Sequence, residues 1–262
     1  RFNDVSLLNG SYDQTVRAGN TNAENTRIAI DGMTNLVNEE SYLPKSLSDI
    51  AKGKGGFVVN GANAGDAAGY TANEVGDVNG DGLDDFIIGA RFADPNGADS
   101  GAAYVVFGRK DGYNIELSDI EAGIGGFVIK GVSAGDNAMA GASAHDGSDV
   151  NGDGLADIIV SARNDAPNGN NSGAAFVVFG KKDTTAVELS AIEAGTGGFA
   201  INGVNAGDQA GNKAVFTGDV NGDGIDDILL SSEYDDTNGA DAGAAYVVFG
   251  KSDTTAVELS AV

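Results

Sequence analysis

The sequence has no cysteine, no tryptophan, three prolines and a single histidine, His145. Without cysteine there is no disulfide, no thiol nucleophile and no thiolate metal site. With one histidine, a zinc site of the usual ligands cannot be assembled. A Ser-His-Asp triad survives only if His145 itself serves in it. Basic residues are also scarce: 15 Lys and Arg stand against 39 Asp and Glu, a net charge of -24. That balance excludes nucleic acid as a direct partner, because phosphate binding needs clustered cations. It also removes charge attraction to an anionic membrane. No apolar run approaches the ~20 residues of a membrane helix, so direct membrane insertion is not expected. The chain opens on Arg1 with no leader-like pattern, and a processed product or a piece of a longer protein is expected. The absence of cysteine fits export without fixing the compartment. At 262 residues the chain is long enough to bury a core without cross-links.

Glycine is abundant: 41 of 262 residues, more than twice the average share. Much of it falls in an internal repeat. Gly-Gly-Phe occurs at Gly55, Gly125 and Gly197; Asp-Val-Asn-Gly-Asp-Gly begins at Asp77, Asp149 and Asp219. Gly-Ala-Ala-(Tyr/Phe)-Val-Val-Phe-Gly begins at Gly101, Gly173 and Gly243, and Leu-Ser recurs at Leu47, Leu117, Leu189 and Leu259. The same signals in the same order, 70 to 72 residues apart, define tandem units. We divide the chain into a non-repeat extension, 1–45, and a repeat region, 46–262. The latter holds repeats 46–115, 116–187 and 188–257 and the start of a fourth, 258–262.

Each repeat reads as short strands joined by Gly, Asn and Asp turns. In the first, these are Phe57–Asn60, a weaker strand near Tyr70 to Val75, the continuous apolar run Asp85–Ala90, and Tyr104–Phe107. Pro95-Asn96-Gly97 and Pro167-Asn168-Gly169 mark turns. The expected fold class is therefore all-β, with a four-stranded unit repeated in tandem as in a β-propeller blade. No repeat carries a long amphipathic helix. In the extension, Ile28 to Ile30 form one apolar patch and Thr34 to Tyr42 is a candidate short helix.

The Asp-Val-Asn-Gly-Asp-Gly segments carry the most specific chemistry. In the first, Asp77, Asn79, Asp81 and Asp85 place side-chain oxygens at positions 1, 3, 5 and 9, Gly82 permits a sharp turn at 6, and Leu83 offers its carbonyl at 7. The second set is Asp149, Asn151, Asp153, Leu155 and Asp157; the third is Asp219, Asn221, Asp223, Ile225 and Asp227. Calcium wants 6–8 oxygens on a curled loop, which this spacing supplies. Position 8 is Asp84, Ala156 or Asp226, so it is not needed as a ligand. The plainer reading is that Asn-Gly and Asp-Gly simply form hairpin turns. Three copies with Asp or Asn fixed at four positions favour calcium, with three Ca2+ sites expected. An EF-hand would need Glu at position 12, where Ile88, Val160 and Leu230 stand.

With these motifs in hand, the chain resembles the FG-GAP repeats of integrin α-subunit propellers and their bacterial relatives. Phe107-Gly108, Phe179-Gly180 and Phe249-Gly250 match the Phe-Gly element. Gly89-Ala90-Arg91, Ser161-Ala162-Arg163 and Ser231-Ser232-Glu233 stand at the second element, without its proline. The three acidic loops match the family's calcium hairpin, with Asn at its second oxygen position. The resemblance covers residues 46–262 and implies four-stranded blades with calcium in a hairpin of each. Integrin-like propellers have seven blades, so three repeats imply a partial propeller, a fragment of a larger one, or an array completed by other copies.

Other residues attract plainer readings. His145 has no counterpart in the other repeats and is read as a solvated surface histidine. Ala-Gly-Asp at Asp66, Asp136 and Asp208 is read as a turn cap. The loops around Asn96, Asn168 and Asn238 are read as solvated turns, and Phe57, Phe127 and Phe199 as core. Asn9 and Asn170 fall in N-x-[ST] triplets, and no Arg-Gly-Asp occurs.

The functional expectation is a non-catalytic, extracellular or cell-surface module for adhesion or structure, stabilised by calcium. Its partner would be a protein or glycan surface ligand or further copies of itself. A self-assembling surface-layer or filament subunit is the first alternative, and an accessory domain of a secreted hydrolase the second. Near-identical repeats argue against a unique catalytic site, and no catalytic residue is assigned.

Overall fold

The computed structural model describes residues 46–140 and 147–261. The chain divides into two compact units, 1–57 and 58–262. In the first, the described part holds one helical turn, α1 (Leu47–Ile50), where the Ser46 hydroxyl donates to Asp49 Oδ2 at 3.0 Å. The extension with its candidate helix, and His145, lie outside the described residues.

The second unit is built of strands. In chain order they are β1 (Val59–Asn60), β2 (Thr71–Gly76), β3 (Asp85–Ala90), β4 (Ala102–Val106) and β5 (Ile115–Glu116), then helix α2 (Leu117–Glu121). Next come β6 (Gly126–Lys130), β7 (Met139–Ala140), β8 (Ile158–Ala162), β9 (Ala174–Val178), β10 (Val187–Glu188) and helix α3 (Leu189–Glu193). The last are β11 (Gly198–Asn202), β12 (Ala210–Gly218), β13 (Asp227–Ser232), β14 (Ala244–Val248) and β15 (Val257–Glu258), ending in a 3-10 turn, Leu259–Ala261. Among the described residues the fold is all-β, with helices of no more than five residues. The expected strands are present, shifted by a residue or two: the first begins at Val59, and the last in that repeat runs Ala102–Val106.

The strands form three main sheets. Sheet one has the order β10-β6-β4-β3-β2 and sheet two β15-β11-β9-β8-β7; sheet three is β12-β13-β14, and β1 pairs with β5. Within sheets one and two, four strands run antiparallel and a short fifth adds in parallel, as Val187 opposite Ile129 and Val257 opposite Ile201. The outer antiparallel strand comes from the following sequence repeat. Gly126–Lys130 lies on Ala102–Val106, and Gly198–Asn202 on Ala174–Val178. Each complete sheet therefore draws on two consecutive repeats.

The middle strands explain their own sequences. β4 (Ala-Ala-Tyr-Val-Val) and β9 (Ala-Ala-Phe-Val-Val) are buried at every residue, as a strand covered on both faces must be. Gly126 and Gly198 head the outer strands because a Cβ there would stand 2.0 Å from the carbonyl oxygen of Val105 or Val177. The next residue fills the gap with an aromatic ring: Phe127 meets Phe107 edge-on at 5.9 Å, and Phe199 meets Phe179 at 6.1 Å. Lys181 from sheet two lies over Phe127, and Lys251 from sheet three over Phe199, each 4.9 Å from the ring centre. One apolar core runs through all three sheets. Leu117 and Ile120 of α2, and Leu189 and Ile192 of α3, are buried.

Candidate metal centre

The three acidic loops each join the first two strands of a sheet, ahead of β3, β8 and β13. Their local fold follows from aspartate at position 1. Asp77 Oδ1 accepts the amides of Gly80 and Asp81 at 2.8 and 3.0 Å, and Oδ2 accepts Gly82 at 2.8 Å. Asp149 accepts Gly152, Asp153 and Gly154 at 2.7, 3.1 and 2.8 Å. Asp219 accepts Gly222, Asp223 and Gly224 at 2.5, 3.1 and 2.9 Å. One short carboxylate thus closes the loop on itself, as Asx turns do. Gly82, Gly154 and Gly224 have φ of 85°, 86° and 91°, a region that side chains with a Cβ avoid.

Positions 3 and 5 continue the curl. Asn79 Oδ1 accepts Asp81 N at 2.8 Å and Asp81 Oδ1 accepts Leu83 N at 2.9 Å; the same pairs recur at Asn151/Asp153/Leu155 and Asn221/Asp223/Ile225. The asparagine amide also donates to the position-5 carboxylate, at 3.1, 3.1 and 2.9 Å. Asp81, Asp153 and Asp223 are exposed at the loop tips.

Position 9 behaves differently. Asp85, Asp157 and Asp227 are buried, and each carboxylate accepts an amide from the start of its own loop and another from a glycine 23 residues on, Asp227 also taking Asn221 N at 3.2 Å. Asp85 takes Val78 N at 3.0 Å and Gly108 N at 2.7 Å; Asp157 takes Val150 N at 2.8 Å and Gly180 N at 2.9 Å; Asp227 takes Val220 N at 2.8 Å and Gly250 N at 2.9 Å. The acceptor loop is thereby pinned to the glycine of each Phe-Gly pair. Those glycines have no room for a side chain: a Cβ on Gly108, Gly180 or Gly250 would lie 2.5, 2.6 or 2.3 Å from the carbonyl oxygen of Asp84, Ala156 or Asp226.

The loops also meet one another across sheets. Ala156 N donates to the Asp77 carbonyl at 3.1 Å, and Asp226 N to the Asp149 carbonyl at 3.3 Å. Asp149 N returns a bond to Asp226 Oδ2 at 3.2 Å. Position 8 is therefore an inter-loop contact, which explains why alanine serves there in the second repeat.

The donor set suits a hard cation, since every side chain offered is an oxygen donor. The electrostatics point the same way. Burial pushes the Asp85 carboxyl up to about 6, and the charges of Asp81 and Asp77 push it in the same direction. Burial pushes Asp157 up to about 7, with Asp153 and Asp149 adding to it. A bound cation would offset both effects. Among the described residues, no three acidic, histidine or cysteine side chains converge as a ready-made cluster. The loop carboxylates are turned instead onto their own backbone amides.

A second acidic grouping was not legible as such. Asp136 and Asp208 accept the amides of Ser133 and Asn205 at 2.7 and 3.0 Å, and Asn63 Nδ2 donates to Asp66 at 3.2 Å, so Ala-Gly-Asp caps a turn. Close by, the Tyr104 hydroxyl donates to Glu121 at 2.7 Å in sheet one, and Tyr246 to Asp235 at 2.5 Å in sheet three. Sheet two has Phe176 at that position, and Asp165 Oδ2 is buried with no hydrogen-bond partner. Burial raises the carboxyls of Asp165 and Glu193, and Asp136 rises to about 6 through burial and the charge of Asp165. The Asn-Gly loops are not merely solvated. Asn96 Nδ2 donates to the Gly131 carbonyl and to Glu188, and Asn168 Nδ2 to the Gly203 carbonyl and Glu258, all at 2.8 Å.

Comparison with known proteins agrees with this arrangement. The family model described as "FG-GAP repeat" matches residues 69–106 and 211–248. Integrin alpha ina-1 of Caenorhabditis elegans is 39% identical over 71 residues, which is 26% of this chain and 6% of that protein. The chain thus spans only a small part of that relative's length. Both matched stretches run from the first strand of a sheet through its acidic loop to the end of the third strand, so residues 69–106 and 211–248 are FG-GAP repeats.

Proposed function

We propose that the chain is an extracellular, calcium-stabilised adhesion or surface-structural module of the propeller type, without catalytic activity. The observation that carries this reading is the threefold loop: position-1 carboxylates cap the curl, exposed position-5 carboxylates stand at its tip, and position 9 pins it to the Phe-Gly turn. Asp77, Asn79, Asp81, the Leu83 carbonyl and Asp85 would hold the ion in the first loop. Asp149, Asn151, Asp153, Leu155 and Asp157 would hold it in the second, and Asp219, Asn221, Asp223, Ile225 and Asp227 in the third. Calcium supplies only charge and coordination there; no bond-making step is assigned to it.

The physical role follows from the contacts between loops. The three loops are hydrogen-bonded in series, so ordering one also orders the edge of its neighbour. A ligand that binds only the folded state stabilises it by RT ln(1 + [L]/Kd), about 2.7 kcal/mol at 100-fold excess. Three such sites compare with the whole stability of an ordinary domain. The integrin α-chain relative supports an adhesive role outside the cell, and each sheet supports a blade-like unit. Titration calorimetry tests the reading: three calcium equivalents are expected, falling to two in Asp153→Asn. Absence of heat at millimolar calcium would contradict it.

A further inference from the structure

The first and second acidic loops carry the same charge at positions 1, 5 and 9, three aspartates each, and the same leucine carbonyl at position 7. They differ in what the next repeat sets against them. Position 8 faces the preceding loop. Ala156, from the second loop, donates its amide to the Asp77 carbonyl at 3.1 Å and packs a methyl against the first loop: a Cβ on Gly76 would lie 3.2 Å from Ala156 Cβ. Asp226, from the third loop, makes the same backbone bond to the Asp149 carbonyl at 3.3 Å, and its carboxylate adds another by accepting Asp149 N at 3.2 Å. A charge therefore stands beside the position-1 residue of the second loop, where the first loop has a methyl. A basic residue widens the contrast. Lys182 follows the second Phe-Gly turn and reaches the first loop: a Cβ on Gly80 would lie 3.4 Å from its Cε and 3.8 Å from its Nζ. The third repeat has Ser252 at that place, and a Cβ on Gly152 would meet nothing within 4 Å among the described residues.

Resting on the calcium reading above, we propose that the second loop takes its ion before the first, and that Asp226 and Lys182, neither of them a ligand, set this order from the adjacent repeat. The first loop faces a neighbour's cation and the second a neighbour's anion. A fixed charge a few ångströms from a bound ion changes its affinity through the Coulomb energy, twice over for a divalent ion, and solvent and salt temper the effect at an exposed site. Because the two loops present the same donors at positions 1, 3, 5, 7 and 9, no difference in ligands offsets the difference in charge. Calcium affinity is thus written partly outside each loop, in the repeat that follows it.

The test is a titration of the whole chain with calcium chloride at low salt, followed by NMR, in which the amides of Gly82 and Gly154 report the two loops separately. The second loop is expected to half-fill at a calcium concentration about tenfold below the first. Asp226→Asn keeps an oxygen for Asp149 N and removes the charge. It is expected to weaken the second loop about fivefold and the first hardly at all, with the urea midpoint in chelator unchanged. Lys182→Gln is expected to tighten the first loop about threefold and leave the second as it was. Raising the salt to ~0.5 M should draw the two loops together. Equal filling of the two loops at low salt, or an order that neither variant alters, overturns the proposal while calcium binding itself stands. Loop amides that do not respond to calcium at all overturn the calcium reading and this order with it.

Discussion

Asp157 Oδ1 accepts the Gly180 amide at 2.9 Å, a bond spanning 23 residues from the end of an acidic loop to the Phe-Gly turn. Asp85 with Gly108 and Asp227 with Gly250 repeat it. The aspartate that the spacing presents as the last metal donor is therefore also the residue that fixes the loop to the sheet.

That double role separates two kinds of variant. Removing a buried acceptor leaves two amides unsatisfied, so Asp157→Ala is expected to cost about 2–4 kcal/mol in urea denaturation even without calcium. Asp153→Asn, at the exposed tip, is expected to change calcium-free stability by less than ~0.5 kcal/mol. It should nevertheless reduce the stabilisation that calcium adds. Equal losses from both variants in chelator would contradict this division.

The glycine after each phenylalanine is held by space rather than by turn geometry. In Gly180→Ala the new methyl would lie 2.6 Å from the Ala156 carbonyl oxygen and from Leu155 Cβ. We expect a loss above ~2 kcal/mol, read as a lowered urea midpoint with an unchanged slope. A neutral result would mean that the loop and the turn are not in contact.

Sheet two lacks a hydroxyl that its neighbours possess. Tyr104 and Tyr246 each cap a carboxylate, whereas Phe176 leaves Asp165 Oδ2 without a partner. Phe176→Tyr is expected to stabilise the chain by about 1 kcal/mol, since a hydrogen bond to a charged group contributes ~1.5–3 kcal/mol less the cost of fitting the oxygen. The melting temperature should rise; a fall would show that the site cannot admit the hydroxyl.

The same region sets a pH dependence. Asp136 rises to about 6 when folded, against ~3.9 for the free side chain, so the folded state binds the extra proton between those values. Its contribution to stability is then fully present below about pH 4 and is lost as pH climbs through about 6. The charge of Asp165 reinforces the shift, and Asp165 and Asp136 in turn raise the Glu193 carboxyl, which burial raises most. Asp136→Asn should flatten the fall in melting temperature over that interval; an unchanged profile would place the titration elsewhere.

The strands and acidic loops were legible because they are written locally. Alternating turn residues and short apolar runs fix β3, and one carboxylate with three following amides fixes each loop. What the sequence did not disclose depends on partners far along the chain. Nothing in Gly125-Gly126-Phe127 says that it completes the sheet of the preceding repeat; that follows from its fit against Val105. The inter-loop bond of Asp149 to Asp226 spans 77 residues. The missing hydroxyl at Phe176 looks like a conservative exchange until Asp165 Oδ2 is found buried without a partner, where Tyr246 bonds the equivalent Asp235. Asn96 and Asn168 read as turn formers, and only the folded chain shows what their amides hold.

Calcium as the element that orders the loops is most directly tested by thermal unfolding of the intact chain at millimolar calcium and again in excess chelator. The account predicts a melting temperature that climbs with calcium and saturates, and a chelated chain that is opened by protease near Asp77, Asp149 and Asp219. A melting temperature that is the same in both conditions would contradict it.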